Sequence, residues 1–431
     1  MKIKIYKNKS GRDALTRDLR LARSLESVRM QFGNEIVEIT DDSIANDSRE
    51  QAVPQEHVEN FDIEEQVHEQ YDSSKVHLVL QKGRLFNMEY PEIPVLYDRG
   101  RFQLVAIEPD EAKNLFNSDV CFSVRSLKNQ GVVFHQHSSI QRLPQISASE
   151  QDLVESVDAN QFIAMLELLV GFQNRHSLSN NYLEVVDILR EVLNNLGYAT
   201  HIEPIDIFDR VNQFVGKSAN LIAQKFGQNH PDARLILVTA HLDSVNLRNQ
   251  LDNSLIAPGA DDNGSGSAGV MEMARVFSQL SGQHEIKFVL FGGEEQNLFG
   301  SSQYVENMAP EEKARLVAVI NMDMIGVRNS TPSTVLIEGA SVSRNVMDAL
   351  ALRAAVHTDL LVRTSENPFA SDHVPFINEG LPAVLTIEGD DSQNSVIHTP
   401  DDVLSLINAD YAEKILKMNV GYIASLMVDD I

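Results

Sequence analysis

The chain has 431 residues, 43% of them apolar and 23% charged, with 22 Gly and 14 Pro; this globular mixture excludes collagen-like and low-complexity scaffolds. Its 62 Asp and Glu against 36 Lys and Arg leave a net charge of −26, which argues against a nucleic-acid partner. The single cysteine, Cys121, excludes an internal disulfide and every thiolate-rich metal site, so any metal must sit on His and carboxylate.

The N-terminal stretch MKIKIYKNKSGRDALTRDLRLARSL is basic but has no continuous apolar run, so it does not read as a secretory signal. No segment approaches the roughly 18 apolar residues of a bilayer span. The expectation is a cytoplasmic protein with no membrane partner, secretion being the alternative. Residues 35–74 carry thirteen acidic residues and one basic residue, Arg49, so residues 1–74 are expected to be a polar, mobile extension. From Lys75 the texture changes. VHLVL, PVLYD, FQLVAIE and CFSVRSL read as short strands and PDEAKNLF as a helix opened by Pro109, giving a small α/β unit over 75–134. The polar run HQHSSIQRLPQISASEQD marks a linker over 135–155, in which His135 and His137 read as solvated more readily than as metal ligands.

From 156 to 431 helical and strand patterns alternate. Leu183, Val186, Leu189, Leu193 and Leu196 trace one helix face, and Gly197 supplies the stop. Solid apolar runs follow: LILVTA (235–240), IKFVLF (286–291), LVAVI (316–320), TVLIE (334–338) and AVLTI (383–387). Such runs suit strands covered on both faces, with amphipathic segments such as Val270, Met273, Phe277 and Leu280 between them. The pattern predicts an α/β fold: a three-layer sandwich around a central, mostly parallel mixed sheet, preceded by a small α/β N-terminal domain.

Ligands of open α/β sheets bind beyond the carboxyl ends of the strands, and polar groups recur there. His241 and Asp243 follow the first run, Glu294 and Glu295 the second, and Asp323 the third; His398 lies in the loop after the last, while Asp261 and Asp262 open the helix near Ser265. Singly, each has a bland reading as a cap, a polar turn or a core histidine. Together they imply a bound cation, because carboxylates gathered in one crevice without one would have raised pKa values and destabilise the fold. Three ligating carboxylates and a bridging hydroxide balance two divalent ions, and imidazole donors favour zinc over magnesium. Gly264-Ser265-Gly266-Ser267-Ala268-Gly269 matches the dinucleotide fingerprint, but it lies two dozen residues beyond its strand and beside two aspartates. Neither H-E-x-x-H nor G-x-S-x-G occurs.

In TAHLDS, APGADDNGSGSAGVMEMARV, FGGEEQNLFGS, INMDMIG, ASDHVPFINEG and HTPDD, spread over 241–402, the chain resembles the bacterial leucyl aminopeptidase family of co-catalytic zinc exopeptidases. The resemblance implies a zinc peptidase domain over 156–431 with two Zn²⁺ ions: Asp261 as the bridging ligand, His241 and Asp323 on one ion, Glu295 and His398 on the other. It implies Asp243 as the group that orients His241, a cis peptide between Asp261 and Asp262, and Ser371 and Asp372 as supporting groups, with His373 not a ligand. It further implies that Glu294, as general base, deprotonates a metal-bridging water that attacks the first peptide bond of substrates with a free N-terminus. Apolar residues near the motifs, Met324, Phe369 and Phe376, suggest a pocket for a Leu-like first residue. The rival readings are a carboxypeptidase, a glutaminyl cyclase-like enzyme and a non-catalytic binding module of the same fold. The leading residues match only in general position, where some relatives carry a propeptide, so they are a candidate for intramolecular inhibition.

Overall fold

The computed structural model describes residues 1–8, 27–40, 61–115, 121–127, 131–137, 145–209, 213–227, 233–249, 251–280, 282 and 284–427. The chain divides into two compact units, Met1–Ser139 with Arg363–Phe369, and Ile140–Val362 with Ala370–Ile431.

In the first unit β1 (Lys2–Asn8), β2 (Ser27–Phe32), β3 (Glu35–Thr40) and β4 (Phe61–Val67) belong to one sheet. β1 pairs antiparallel with both β3 and β4, and β2 pairs antiparallel with β3. This corrects the expectation of a polar extension over 1–74. Ile3 and Ile5 alternate with lysines along β1, and Ile3, Ile5, Val37 and Ile39 are buried, so Lys2 and Lys4 are the outward half of a period-two pattern along β1. Residues 41–60, which hold much of the acidic stretch, lie outside the described residues.

The strands β5 (Val76–Gln81), β6 (Val95–Arg99), β7 (Phe102–Ala106) and β8 (Phe122–Ser126) form a second, antiparallel sheet in the order β6-β7-β5-β8. With the helix Pro109–Leu115 they match the elements expected between 75 and 134, around a core that includes Val79, Phe86, Val105 and Phe122. The stretch expected as a linker starts inside β9 (Val132–Gln136), which runs parallel to β2, and ends in the helix Ala148–Glu155. Of that stretch, residues 138–144 lie outside the described residues.

Arg363–Phe369 completes the first unit although it comes from far along the chain. Arg363 and Thr364, in β16 (Leu361–Ser365), pair antiparallel with Gln136 and His135 of β9. Arg125 Nη2 donates to the Pro368 carbonyl at 2.8 Å, Asn367 Nδ2 donates to the Val133 carbonyl at 2.9 Å, and the Arg101 guanidinium lies 4.5 Å from the centre of the Phe369 ring.

The second unit carries a sheet in which β10 (Ala199–Phe208), β11 (Phe214–Lys225), β13 (Glu285–Phe291), β12 (Leu235–His241), β14 (Leu316–Met322), β17 (Ala383–Glu388) and β15 (Thr334–Glu338) lie side by side in that order. The pairs β12–β13, β12–β14 and β14–β17 are parallel, and β10–β11, β11–β13 and β15–β17 are antiparallel, so the sheet is mixed with a parallel centre. Alternation along β12 shows why the runs are apolar throughout. Ile236, Val238 and Ala240 pack into one core with the helices Ala159–Val170, Asn180–Asn195, Gly266–Phe277 and Ala409–Met427. Leu235 and Leu237 enter another with Phe291, Tyr304 and Phe376. A central sheet between two helical layers needs both faces apolar. The helix Asn180–Asn195 turns slightly from its expected face: Tyr182, Val185, Val186, Leu189 and Leu193 are buried whereas Leu183 is 46% exposed. Gly197, with φ 89°, ends that segment in the left-handed region as the sequence suggested. Among the described residues no helix is long and apolar enough to cross a membrane.

Candidate metal centre

The parallel strands end at one crevice, and each delivers a polar side chain as the chain leaves the sheet. His241 is the last residue of β12, Asp323 comes directly after β14, and Glu294 and Glu295 follow β13 across a Gly292-Gly293 turn. That turn requires glycine: a Cβ on Gly292 would meet the Tyr182 hydroxyl at 2.4 Å, and Gly293 has φ 69°. His398 sits in the loop after β17, itself at φ 58°. The loop before the helix Gly266–Phe277 brings Asp262 into the same space, and all six side chains are buried.

The donor atoms fall into two triads that share one residue. His241 Nε2 lies 3.3 Å from Asp262 Oδ1 and 3.5 Å from Asp323 Oδ1. His398 Nε2 lies 3.1 Å from Asp262 Oδ2 and 3.0 Å from Glu295 Oε2. Asp262 thus turns one carboxylate oxygen toward each histidine. Glu294 Oε2 stands 3.9 Å from His241 Nε2, and His241, Glu294 and Glu295 form a third group whose donor atoms lie within 4.8 Å of one another.

Asp261, expected as the bridge, is directed elsewhere. Its Oδ1 accepts from the Gly326 amide at 2.9 Å and its Oδ2 from Asn394 Nδ2 at 2.8 Å, and it belongs to none of the three groups of donors. The cis peptide likewise falls one residue later than expected, between Asp262 and Asn263. The loop backbone turns the two adjacent aspartates apart, Asp261 onto Gly326 and Asn394 and Asp262 toward the two histidines.

Supporting contacts come from groups around the triads. Asp243 Oδ1 is 3.5 Å from His241 Nδ1, and the Asp243 carboxylate also accepts from the amides of Glu294 and Glu295 at 3.4 and 3.3 Å. Ser371 Oγ donates to Asp323 Oδ2 at 2.7 Å while accepting from Asn321 Nδ2 at 2.8 Å, which fixes the Asp323 carboxylate plane. Asp372 is fully buried, and His373 turns away to within 3.5 Å of Glu338. Two groups escaped the sequence reading. Asp402 accepts from the amides of Asp261 and Asp262 at 2.9 and 3.0 Å, and Arg175 is a fully buried guanidinium. Asp402 had a signal in its place within HTPDD; Arg175, within NRHS, had none.

The residues suggested as pocket lining separate. Met324, with φ 55°, follows Asp323 and is buried. Phe376 is a core residue instead of a pocket residue, fully buried against Phe291 and Tyr304 with ring centres 6.4 and 6.1 Å away. Phe369 is 5% exposed under Arg101 and belongs to the first unit.

Electrostatics show what these donors require. Burial pushes Asp261 up to about 8, with the Asp402 charge adding to it, Asp372 up to about 7 and Asp402 up to about 6. Glu295 is raised by burial and by Asp262. Burial acts to lower His241, but Glu294, Asp323 and their neighbours outweigh it and hold the imidazole well above its usual range. Carboxylates packed this closely resist ionisation together, and a cation relieves them. Among the described residues, buried His241 Nε2 and Glu295 Oε1 have no hydrogen-bond partner, as ligand atoms aimed at an ion would not. Two imidazoles with carboxylate oxygens suit zinc.

Comparison with known proteins agrees with this site. Residues 220–423 match the model of Peptidase family M28. Aminopeptidase YwaD of Bacillus subtilis is 35% identical over 198 residues, covering 44% of this chain and 41% of that protein, so the chain spans less than half the length of that relative. LapB from Legionella pneumophila shares the fold at a TM-score of 0.57 and 20% identity, covering 82% of this chain and 99% of that one. A glutaminyl cyclase from Porphyromonas gingivalis shares it at a TM-score of 0.53 and 21% identity, covering 63% and 100%. The strand-end triads all lie within the matched residues, so the site falls in the part of the chain that is similar to Peptidase family M28.

Proposed function

We propose that the protein is a zinc aminopeptidase that hydrolyses the first peptide bond of substrates with a free N-terminus, using two ions. The observation that carries this reading is the division of Asp262: each of its oxygens faces a separate histidine with a further carboxylate beside it. His241, Asp262 and Asp323 would hold one ion, and His398, Asp262 and Glu295 the other. Bound there, the ions supply Lewis acidity toward a water molecule and the scissile carbonyl.

The chain's own residues do the rest. Glu294 takes the proton of the attacking water as the new C–O bond forms, and returns it to the amine nitrogen as the C–N bond breaks. Asp243 keeps the His241 ring in orientation, and Ser371 does the same for Asp323. The acidic crevice favours a cationic amino group over a carboxylate end. The preference proposed is for an apolar, Leu-like first residue.

A panel of aminoacyl arylamides, assayed before and after metal stripping, tests the reading. Cleavage of the Leu substrate should disappear with the metal and return with Zn²⁺, and acetylating the substrate amine should abolish it. Cleavage that survives acetylation, or cyclisation of an N-terminal Gln without hydrolysis, would replace aminopeptidase by one of the rival activities.

The N-terminal unit reads better as an accessory domain than as a removable inhibitor, because Arg363–Phe369 is part of it. A prosegment lost on cleavage would be built from leading residues alone. Cutting the full chain at a protease site introduced between residues 138 and 144 should leave the two pieces co-eluting and the activity within about twofold, a factor equivalent to about 0.4 kcal/mol. Release of the N-terminal piece with a large rise in activity would restore the inhibitor reading.

A further inference from the structure

Arg175 is among the largest fully buried side chains of the protein, and its hydrogen bonds go to main-chain carbonyls. Its Nε donates to Leu242 O at 2.9 Å, Nη1 to Pro258 O at 2.5 Å and to Leu169 O at 3.4 Å, and Nη2 to Gly259 O at 2.8 Å. Leu242 lies between His241 and Asp243; Pro258 and Gly259 lead into the loop that carries Asp262. One guanidinium therefore ties the strand end that presents His241 to the loop that presents the shared aspartate.

The surroundings are shaped for it. Gly259, at φ 52°, could not carry a side chain: a Cβ there would meet Asp262 O at 2.5 Å, Ser244 Cβ at 2.6 Å and Arg175 Nη2 at 3.1 Å. Gly259 O accepts from Gly264 N at 2.9 Å as well as from Arg175, so the loop closes around the guanidinium. Ser244 Oγ accepts from the Arg175 amide at 3.1 Å and donates to Ala257 O at 2.8 Å, a second link between the same two segments. Burial lowers the guanidinium to about 10, against the opposing fields of Asp402 and Asp243, so it stays a cation at neutral pH.

Asp402 makes the complementary tie. It lies four residues after His398 in sequence and holds the amides of Asp261 and Asp262, linking the shared aspartate to the His398 side. The loop is thus held toward one triad by a cation on its carbonyls and toward the other by an anion on its amides. We propose that Arg175 is a positioning residue that sets the distance between Asp262 and His241, and so governs the affinity of the ion held by His241, Asp262 and Asp323 separately from that of its neighbour. A lysine cannot replace it, because an ammonium lacks the planar fork that reaches Leu242, Pro258 and Gly259 together.

This inference rests on the two-ion reading, and the experiment separates the two. Metal-stripped full-length wild type, Arg175→Lys and Gly259→Ala are titrated with Zn²⁺ against a competing chelator, alongside thermal unfolding of each metal-free protein. Wild type should take up two ions. Both variants should take up one ion with affinity within about threefold of wild type and the other about 10–100-fold more weakly, the usual effect of removing a group that orients a ligand. Turnover should fall while KM stays within a few-fold, and an unchanged unfolding temperature of the metal-free protein shows that the fall is not a loss of folded molecules. Gly259→Ala keeps the cation but crowds Asp262 O and Ser244 Cβ as well as Nη2, so it stands in for Arg175→Lys, if that variant does not fold, only together with its own metal-free unfolding temperature. Two unaltered affinities, or equal weakening of both with a lowered unfolding temperature of the metal-free protein, would overturn the assignment of Arg175 alone. A wild type that takes up fewer than two ions would defeat the two-ion reading, and the assignment with it.

Discussion

Replacing Glu294 by Gln is expected to lower turnover of an aminoacyl arylamide by about 10²–10⁴-fold, the usual contribution of a positioned general base, while zinc content stays at the wild-type level. Glu294 stands apart from both triads. It approaches His241 Nε2 only to 3.9 Å, whereas the carboxylates of the two triads come within 3.0 to 3.5 Å of a histidine nitrogen. Gln has nearly the shape of Glu but cannot accept a proton as a carboxylate does, so the replacement removes the chemistry and leaves the packing. Turnover and elemental analysis of the same preparation check this. Loss of zinc together with activity would make Glu294 a ligand, and unchanged turnover would remove it from the mechanism.

The second large effect distinguishes two neighbours that look alike in the sequence. Asp262→Asn should reduce zinc retention by more than the 10–100-fold typical of losing a merely supporting group, because both triads lose a charged oxygen at once. Asp261→Asn should keep its zinc. Its carboxylate accepts from Gly326 N and Asn394 Nδ2, so the amide would set one NH₂ against a donor and lower stability by about 1–3 kcal/mol instead. Chelator competition and chemical unfolding of the two variants give the comparison. If Asp261→Asn lost zinc and Asp262→Asn did not, the bridge would have to be reassigned.

Much of this protein could be read from residue order alone. LILVTA, IKFVLF, LVAVI, TVLIE and AVLTI are apolar throughout because both faces of the sheet are covered, and the structure has strands at all five. His241, Glu294, Glu295, Asp323 and His398 were visible as polar groups at the points where the chain leaves that sheet, where a parallel centre collects them. Position relative to a strand is a local property, and local periodicity specifies it.

Tertiary structure decided the rest. Asp261 and Asp262 have the same chemistry and the same neighbours in sequence; the choice between them lies in the backbone of the loop, where Asp262 adopts φ −102° and ψ 98° under the hold of Asp402, some 140 residues away. Arg175 was silent because a buried guanidinium that binds carbonyls leaves no pattern along the chain. Ile3 and Ile5 were masked by the lysines between them, and Arg363–Phe369 could not be assigned to the first unit from sequence because its partners lie more than two hundred residues earlier. Phe376 looked like pocket lining beside its motif until folding set its ring against Phe291 and Tyr304. In each case the deciding contact spans a long stretch of chain, and only closure of the fold brings its two ends together.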